Sequence, residues 1–160
     1  MKTLYAIVLA LVIISAAMTS HAQLLNQVNK KVLTLEGAKK IAAAAAVEAR
    51  KHQVGGSIAI VDEGGHLLYL ERWDGTFPAS APVATAKART AAVFRLETQV
   101  FENAIKNGRN SLTAVPEMLP LEGGIPIIVD GQVIGAVGVS GTTSSAQDVE
   151  FARAAIAGIK

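Results

Sequence analysis

The chain has 160 residues and no cysteine. That absence excludes a disulfide scaffold, an iron–sulfur cluster, a thiolate-held haem, a Cys-ligated zinc site and a cysteine nucleophile. Charged residues make up only 18%, and the formal net charge is +2. So small a charge, evenly spread, excludes a typical nucleic-acid binder. No Gly-x-Ser-x-Gly elbow, no Walker sequence and no Gly-x-Gly-x-x-Gly opening a helix occurs, which removes the common hydrolase and nucleotide-binding signatures. Past the N-terminus no apolar run is long enough to cross a membrane. What the chain has in abundance is apolar residues, 51% in all. This is enough for one folded domain with a real core, and the length makes two domains unlikely.

The N-terminus stands apart. Lys2 is followed by an uncharged, mostly apolar run from Leu4 to Ala17, and Ser20-His21-Ala22 has the small-x-small spacing of a cleavage site. Residues 1–22 are therefore expected to be a secretory signal peptide. Residues 23–33 are expected to form a flexible arm and 34–160 the domain. No lipidation cysteine follows the cleavage site, so the expected destination is the periplasm or the outside of the cell.

Within the domain, Thr34 can cap a helix from Leu35 to Lys51, where Ala38, Ile41, Ala42, Ala45 and Ala49 recur at helical spacing. Gly55-Gly56 ends it. Ser57 to Asp62 and His66 to Trp73 read as strands around the Glu63-Gly64-Gly65 turn. Ser80 can cap a second helix, about Pro82 to Phe94, and a third pattern runs from Glu97 to Lys106. Residues 107–124 are irregular. Ile125 to Val129 and Val133 to Ser140 flank Asp130-Gly131, the strongest hairpin signal in the chain. Gly135 and Gly138 inside the second of these strands imply that another backbone or a ligand lies close against it. A last helix starts near Ala146. Two hairpins separated by helices predict an α+β fold, one antiparallel sheet with helices packed on it.

Few residues offer chemistry. Asp62/Glu63 and Asp148/Glu150 are paired carboxylates of the kind usually found at turns and caps. His52 continues the apolar stripe of the first helix. It suits an axial haem ligand or, the commoner case, a helix-end imidazole meeting free carbonyls. His66 falls at a hairpin turn. Met118, between Pro116 and Pro120, is a soft thioether suited to iron or to filling core space. Lys87, Arg89 and Arg95 can receive a ligand's carboxylates or face solvent.

Several blocks, in order, resemble one family. Ile60-Val61-Asp62-Glu63-Gly64-Gly65-His66-Leu67-Leu68 resembles the VVDxGGHL strand-turn-strand of the GlcG/HbpS-like (haem-degrading domain, DUF336) family. Arg72-Trp73-Asp74-Gly75, the helix segment Ala86 to Ala91, Gly123 to Ile127, the strand Gly131 to Gly141 and Gln147-Asp148 resemble its later blocks. The resemblance covers about residues 33–160.

It implies a profilin-like antiparallel sheet of about five strands with helices on both faces, and a symmetric homo-oligomer. Combined with the leader, it implies a secreted haem-binding protein, a haem carrier or a haem/redox sensor working with a sensor kinase, and not an enzyme. The alternative is an accessory enzyme or binding factor for a small organic acid such as glycolate, or haem degradation. In one branch the iron contact comes from the loop before the G-G-x-P strand, here Met118. In another it comes from a histidine near the end of the first helix, here near His52. Lys87 and Arg89 are the expected partners of the haem propionates. The family's acidic D/E-x-x-E iron-binding sequence has no match.

Overall fold

The computed structural model describes residues 29–157 and 159. The expected signal peptide and most of the expected arm lie outside the described residues. The domain occupies a compact unit, Lys31–Lys160.

Its elements are α1 (Leu35–His52), β1 (Ser57–Asp62), β2 (Leu67–Arg72), α2 (Ser80–Phe94), α3 (Thr98–Lys106), a 3-10 turn (Asn110–Ala114), β3 (Gly124–Val129), β4 (Gln132–Ser140) and α4 (Ser145–Ile156). The strands form one antiparallel sheet in the order β2-β1-β4-β3. Four strands are described, close to the five expected, and the α+β class holds. The two hairpins meet where β1 pairs with β4, from Ser57 opposite Ser140 to Asp62 opposite Gly135.

Local chemistry explains the boundaries. The Thr34 hydroxyl accepts the Gly37 N–H at 3.1 Å and starts α1. Gln53, at φ 54°, closes α1 by donating its N–H to the Ala49 and Arg50 carbonyls. Asp130 and Gly131, at φ 48° and 74°, make the two-residue β3–β4 turn, as a tight hairpin requires. Ser80 does not cap α2 as expected. It is the first helical residue, and its buried hydroxyl donates to the Phe77 carbonyl at 2.8 Å and lies 2.7 Å from the Ser57 hydroxyl.

The end of the expected flexible arm is held in place. Leu33 is buried in the core, the Lys31 N–H donates to Gln132 Oε1, and the Lys31 ammonium pairs with Asp130.

The two faces of the sheet differ in bulk. Ile58, Ile60, Val137 and Val139 point to one side and pack with the alanine stripe of α1 and with Phe151, Ala152 and Ala155 of α4. Ala59, Val61 and Ala136 point to the other and meet Ala84, Ala88, Ala91 and Ala92 of α2. The strand period of two sorts large residues from small ones. As a result α2 lies on the sheet backbone itself. A methyl group at Gly138 would stand 2.1 Å from the Ala84 carbonyl oxygen, and one at Gly124 would stand 2.4 Å from the Lys87 carbonyl oxygen. This is the close approach that glycine inside a strand implied.

Gly138→Ala is expected to cost about 3 kcal/mol, because backbone and not a flexible side chain occupies the space. Gly131→Ala meets no atom within 4 Å and is expected to cost about 1–2 kcal/mol for its left-handed backbone alone. Urea unfolding followed by Trp73 fluorescence compares them. Equal losses contradict the close-contact account.

Candidate functional site

The outer side of α2 carries Arg89, Val93 and Phe94, all exposed. Phe94 stands edge-on to Phe101 of α3, with ring centroids 5.4 Å apart. Over this helix lies the segment that carries Met118. The Leu119 N–H donates to the Thr90 hydroxyl at 2.9 Å, and that hydroxyl donates to the Ala86 carbonyl. The Arg89 guanidinium pairs with the Glu117 carboxylate. Glu117 is held at φ 60°, a costly conformation for a residue with a side chain. Arg89, Thr90, Val93, Phe94, Pro116 and Glu117 enclose a cleft of about 80 Å³. Met118 follows directly in the chain and is half-buried.

Lys87 is placed differently from the expectation that it meets a ligand. Two residues before Arg89 is a 200° rotation, so it points inward. Its side chain is 3% exposed, and its ammonium donates to Asp148 Oδ2 at 2.8 Å and to the Val139 carbonyl at 3.0 Å. Asp148 Oδ1 in turn accepts from the Thr142 hydroxyl at 2.7 Å and from the Thr142 N–H. The charge of Lys87 is already satisfied by α4, and Arg89 is the cation this stretch offers outward.

His52 is the last residue of α1. Its ring leans on Phe151, with centroids 5.4 Å apart, and Nε2 lies 3.9 Å from Glu150 Oε1. A cleft of about 560 Å³ opens nearby between α1 and β2, lined by Arg50, Gln53, Arg72 and Trp73 among others. His52 faces α4 and is not part of that lining. His52 and Met118 therefore sit on opposite sides of the sheet, one with the α1/α4 layer and one over α2. The fold does not bring them to one iron within a single chain.

His66, which the sequence places at a hairpin turn, is paired there with Asp62. In the β1–β2 turn, Asp62 Oδ1 accepts the N–H groups of Gly64 and His66, both at 2.9 Å. His66 Nδ1 lies 3.2 Å from both Asp62 oxygens. Burial pulls the Asp62 carboxyl upward, but the hydrogen bonds from His66 and Gly64 outweigh it and hold the group below its ordinary 3.8. An ionised carboxylate only accepts, so the Nδ1 that faces it is the donor. The His66 side chain is 82% exposed. The turn rests on α2: a methyl group at Gly65 (φ 82°) would stand 2.7 Å from Arg89 Cγ and 3.1 Å from Val93. The signal in the sequence was the Asp-x-x-x-His spacing across a Gly-Gly turn.

Among the described residues no three His, Cys, Asp or Glu side chains gather to hold a bare metal ion. Among the same residues no helix is long and apolar enough to cross a membrane.

The family model described as "Haem degrading protein HbpS-like" matches residues 33–157. Protein GlcG of Escherichia coli strain K12 is 48% identical over 111 residues, spanning 69% of this chain and 83% of that protein. The crystal structure of a double mutant of Streptomyces reticuli HbpS superposes with a TM-score of 0.77 at 34% identity, covering 85% of this chain and 91% of that one. A crystal structure of a PduOC–haem complex gives 0.74 at 27% identity, covering 81% and 96%.

The buried pair between α2 and α4 makes a separate prediction. Lys87→Met is expected to cost about 3–5 kcal/mol, since it leaves Asp148 buried without its partner. The double variant Lys87→Met/Asp148→Leu is expected to be closer to wild type than Lys87→Met. Chemical denaturation of both decides; a double variant no more stable than the single one contradicts the assignment.

Proposed function

The chain belongs to the HbpS-like family, and from that premise we propose that it is an exported haem-binding protein, a carrier or sensor of haem, with its site on the outer side of α2. The observation that carries this reading is the grouping of Arg89 with exposed Val93 and Phe94 beneath the segment bearing Met118.

The donor chemistry fits the group. A half-buried thioether suits haem iron, a guanidinium suits a propionate, and an aromatic–aliphatic surface suits the macrocycle. The size of the cleft adds a constraint. Sites that enclose a ligand of some size measure about 300–1,000 Å³, and one chain offers about 80 Å³ here. A second copy of the chain supplies the other wall in this reading. The exposed Leu96, Val100 and Leu121 on neighbouring segments favour such pairing. When bound, haem supplies a redox-active iron. The protein's part is to orient that iron, to bury the ring and to neutralise a propionate through Arg89, which then exchanges Glu117 for the ligand's carboxylate. The neighbour solved as a haem complex supports the reading, and the apolar leader-like run at residues 4–17 supports export.

Haemin titration of the purified protein, followed by absorbance, tests this. A saturable, shifted Soret band at a fixed haem-to-subunit ratio is expected. Met118→Ala and Arg89→Ala are each expected to weaken binding about tenfold, the equivalent of ~1.4 kcal/mol, and His52→Ala to leave it unchanged. A featureless sum of free haemin and protein overturns the function. Loss of binding in His52→Ala alone overturns the site.

A further inference from the structure

We propose that Glu117 is an internal competitor for Arg89, a carboxylate built into the site that keeps the binding of a ligand's carboxylate reversible. The inference rests on the haem-binding reading above and names the residue that sets how readily the ligand leaves.

Glu117 stands where turn chemistry favours another residue. Val115 to Met118 form a turn, closed by the Met118 N–H on the Val115 carbonyl at 3.4 Å. Pro116 is second in that turn and Glu117 third. A turn with proline second and left-handed backbone third favours glycine or asparagine at the third place. Here the residue is glutamate, at φ 60°. Left-handed backbone disfavours a residue with a side chain by about tenfold. The Glu117 carboxylate accepts from Arg89 Nη2, but the Arg89 side chain is 46% exposed and that of Glu117 69%. An ion pair so exposed contributes about fivefold at most. The pair therefore does not offset the backbone, and stability does not account for a glutamate at this position. A use for its carboxylate does.

The two partners are held unequally. Arg89 belongs to α2, and its stem is seated against the β1–β2 turn: a methyl group at Gly65 would stand 2.7 Å from its Cγ. Glu117 belongs to a short exposed turn that is anchored only at its flanks. The Val115 N–H donates to the Leu112 carbonyl at 3.2 Å, and the Leu119 N–H donates to the Thr90 hydroxyl at 2.9 Å. The carboxylate is thus the partner that gives way, and the guanidinium stays in the cleft wall beside Val93 and Phe94. A ligand's carboxylate on Arg89 must displace Glu117, and Glu117 then stands beside it as a second negative charge. Because it is tethered, it competes at the same effective concentration however dilute the ligand. Release is thereby eased without a conformational change of the domain.

The experiment compares wild type, Glu117→Gln and Glu117→Gly. Haemin release into an excess of apomyoglobin is expected to be about threefold slower in Glu117→Gln, with association little changed. For haemin dimethyl ester, whose carboxyl groups carry no charge, the two proteins are expected to release at the same rate. In the haem-free protein, Glu117→Gly is expected to unfold at no lower urea concentration than wild type, and at a higher one than Glu117→Gln. Haemin release from Glu117→Gln at the wild-type rate overturns this inference and leaves the haem-binding reading standing. So does an equal slowing for the dimethyl ester, or a clear loss of stability in Glu117→Gly. A wild-type protein that binds no haemin overturns both. Far-ultraviolet circular dichroism checks that each variant keeps its fold, as expected for an exposed side chain.

Discussion

The backbone of α2 lies directly on the backbones of β3 and β4, and the rest of the structure follows from that contact. It requires glycine at positions 124 and 138, where a methyl group would reach a helix carbonyl. It also requires alanine along the facing side of the helix, at 84, 88, 91 and 92. The bulky strand residues are left for the other face, where α1 and α4 cover them. Seated this deeply, α2 sends Lys87 inward to α4, where Asp148 and the Val139 carbonyl satisfy it. One ion pair thus ties α2, the sheet and α4 together. Its value lies more in specifying one packing than in net stability, because desolvating two charges offsets much of their attraction.

The same contact decides what α2 shows to solvent. With Lys87 turned in, Arg89 is turned out, alongside Val93 and Phe94. The β1–β2 turn and the segment around Met118 both lean on this outer side, through Gly65 and through the Leu119–Thr90 hydrogen bond. Two separate stretches of chain, α2 and the segment before Met118, therefore line one surface, and the β1–β2 turn borders it. The sheet meanwhile separates that surface from His52.

Much of the fold was legible in the sequence because local signals and tertiary structure agree. The Asp130-Gly131 turn, the Thr34 cap and the alanine stripe of α1 lie where their chemistry predicts. Gly138 announced a close backbone approach before any partner was known. Other features depend on neighbours distant in the chain. Ser80 reads as a cap but is drawn inward by Ser57, twenty-three residues earlier. Lys87 reads as a surface cation because α2 is alanine-rich on several sides and its periodicity has little contrast. Its inward aim is set by Asp148, sixty-one residues on. His66 reads as a turn residue because the carboxylate behind it comes into reach only when the hairpin closes. The pairing of β1 with β4 has no local signal at all.

The central claim is that the iron lies on the α2 side of the sheet. Anomalous diffraction at the iron edge from crystals of the haem-loaded protein tests it most directly. The account predicts an iron peak on the surface shared by Arg89 and Met118, beside the outer side of α2. An iron peak beside His52, between α1 and α4, would contradict it.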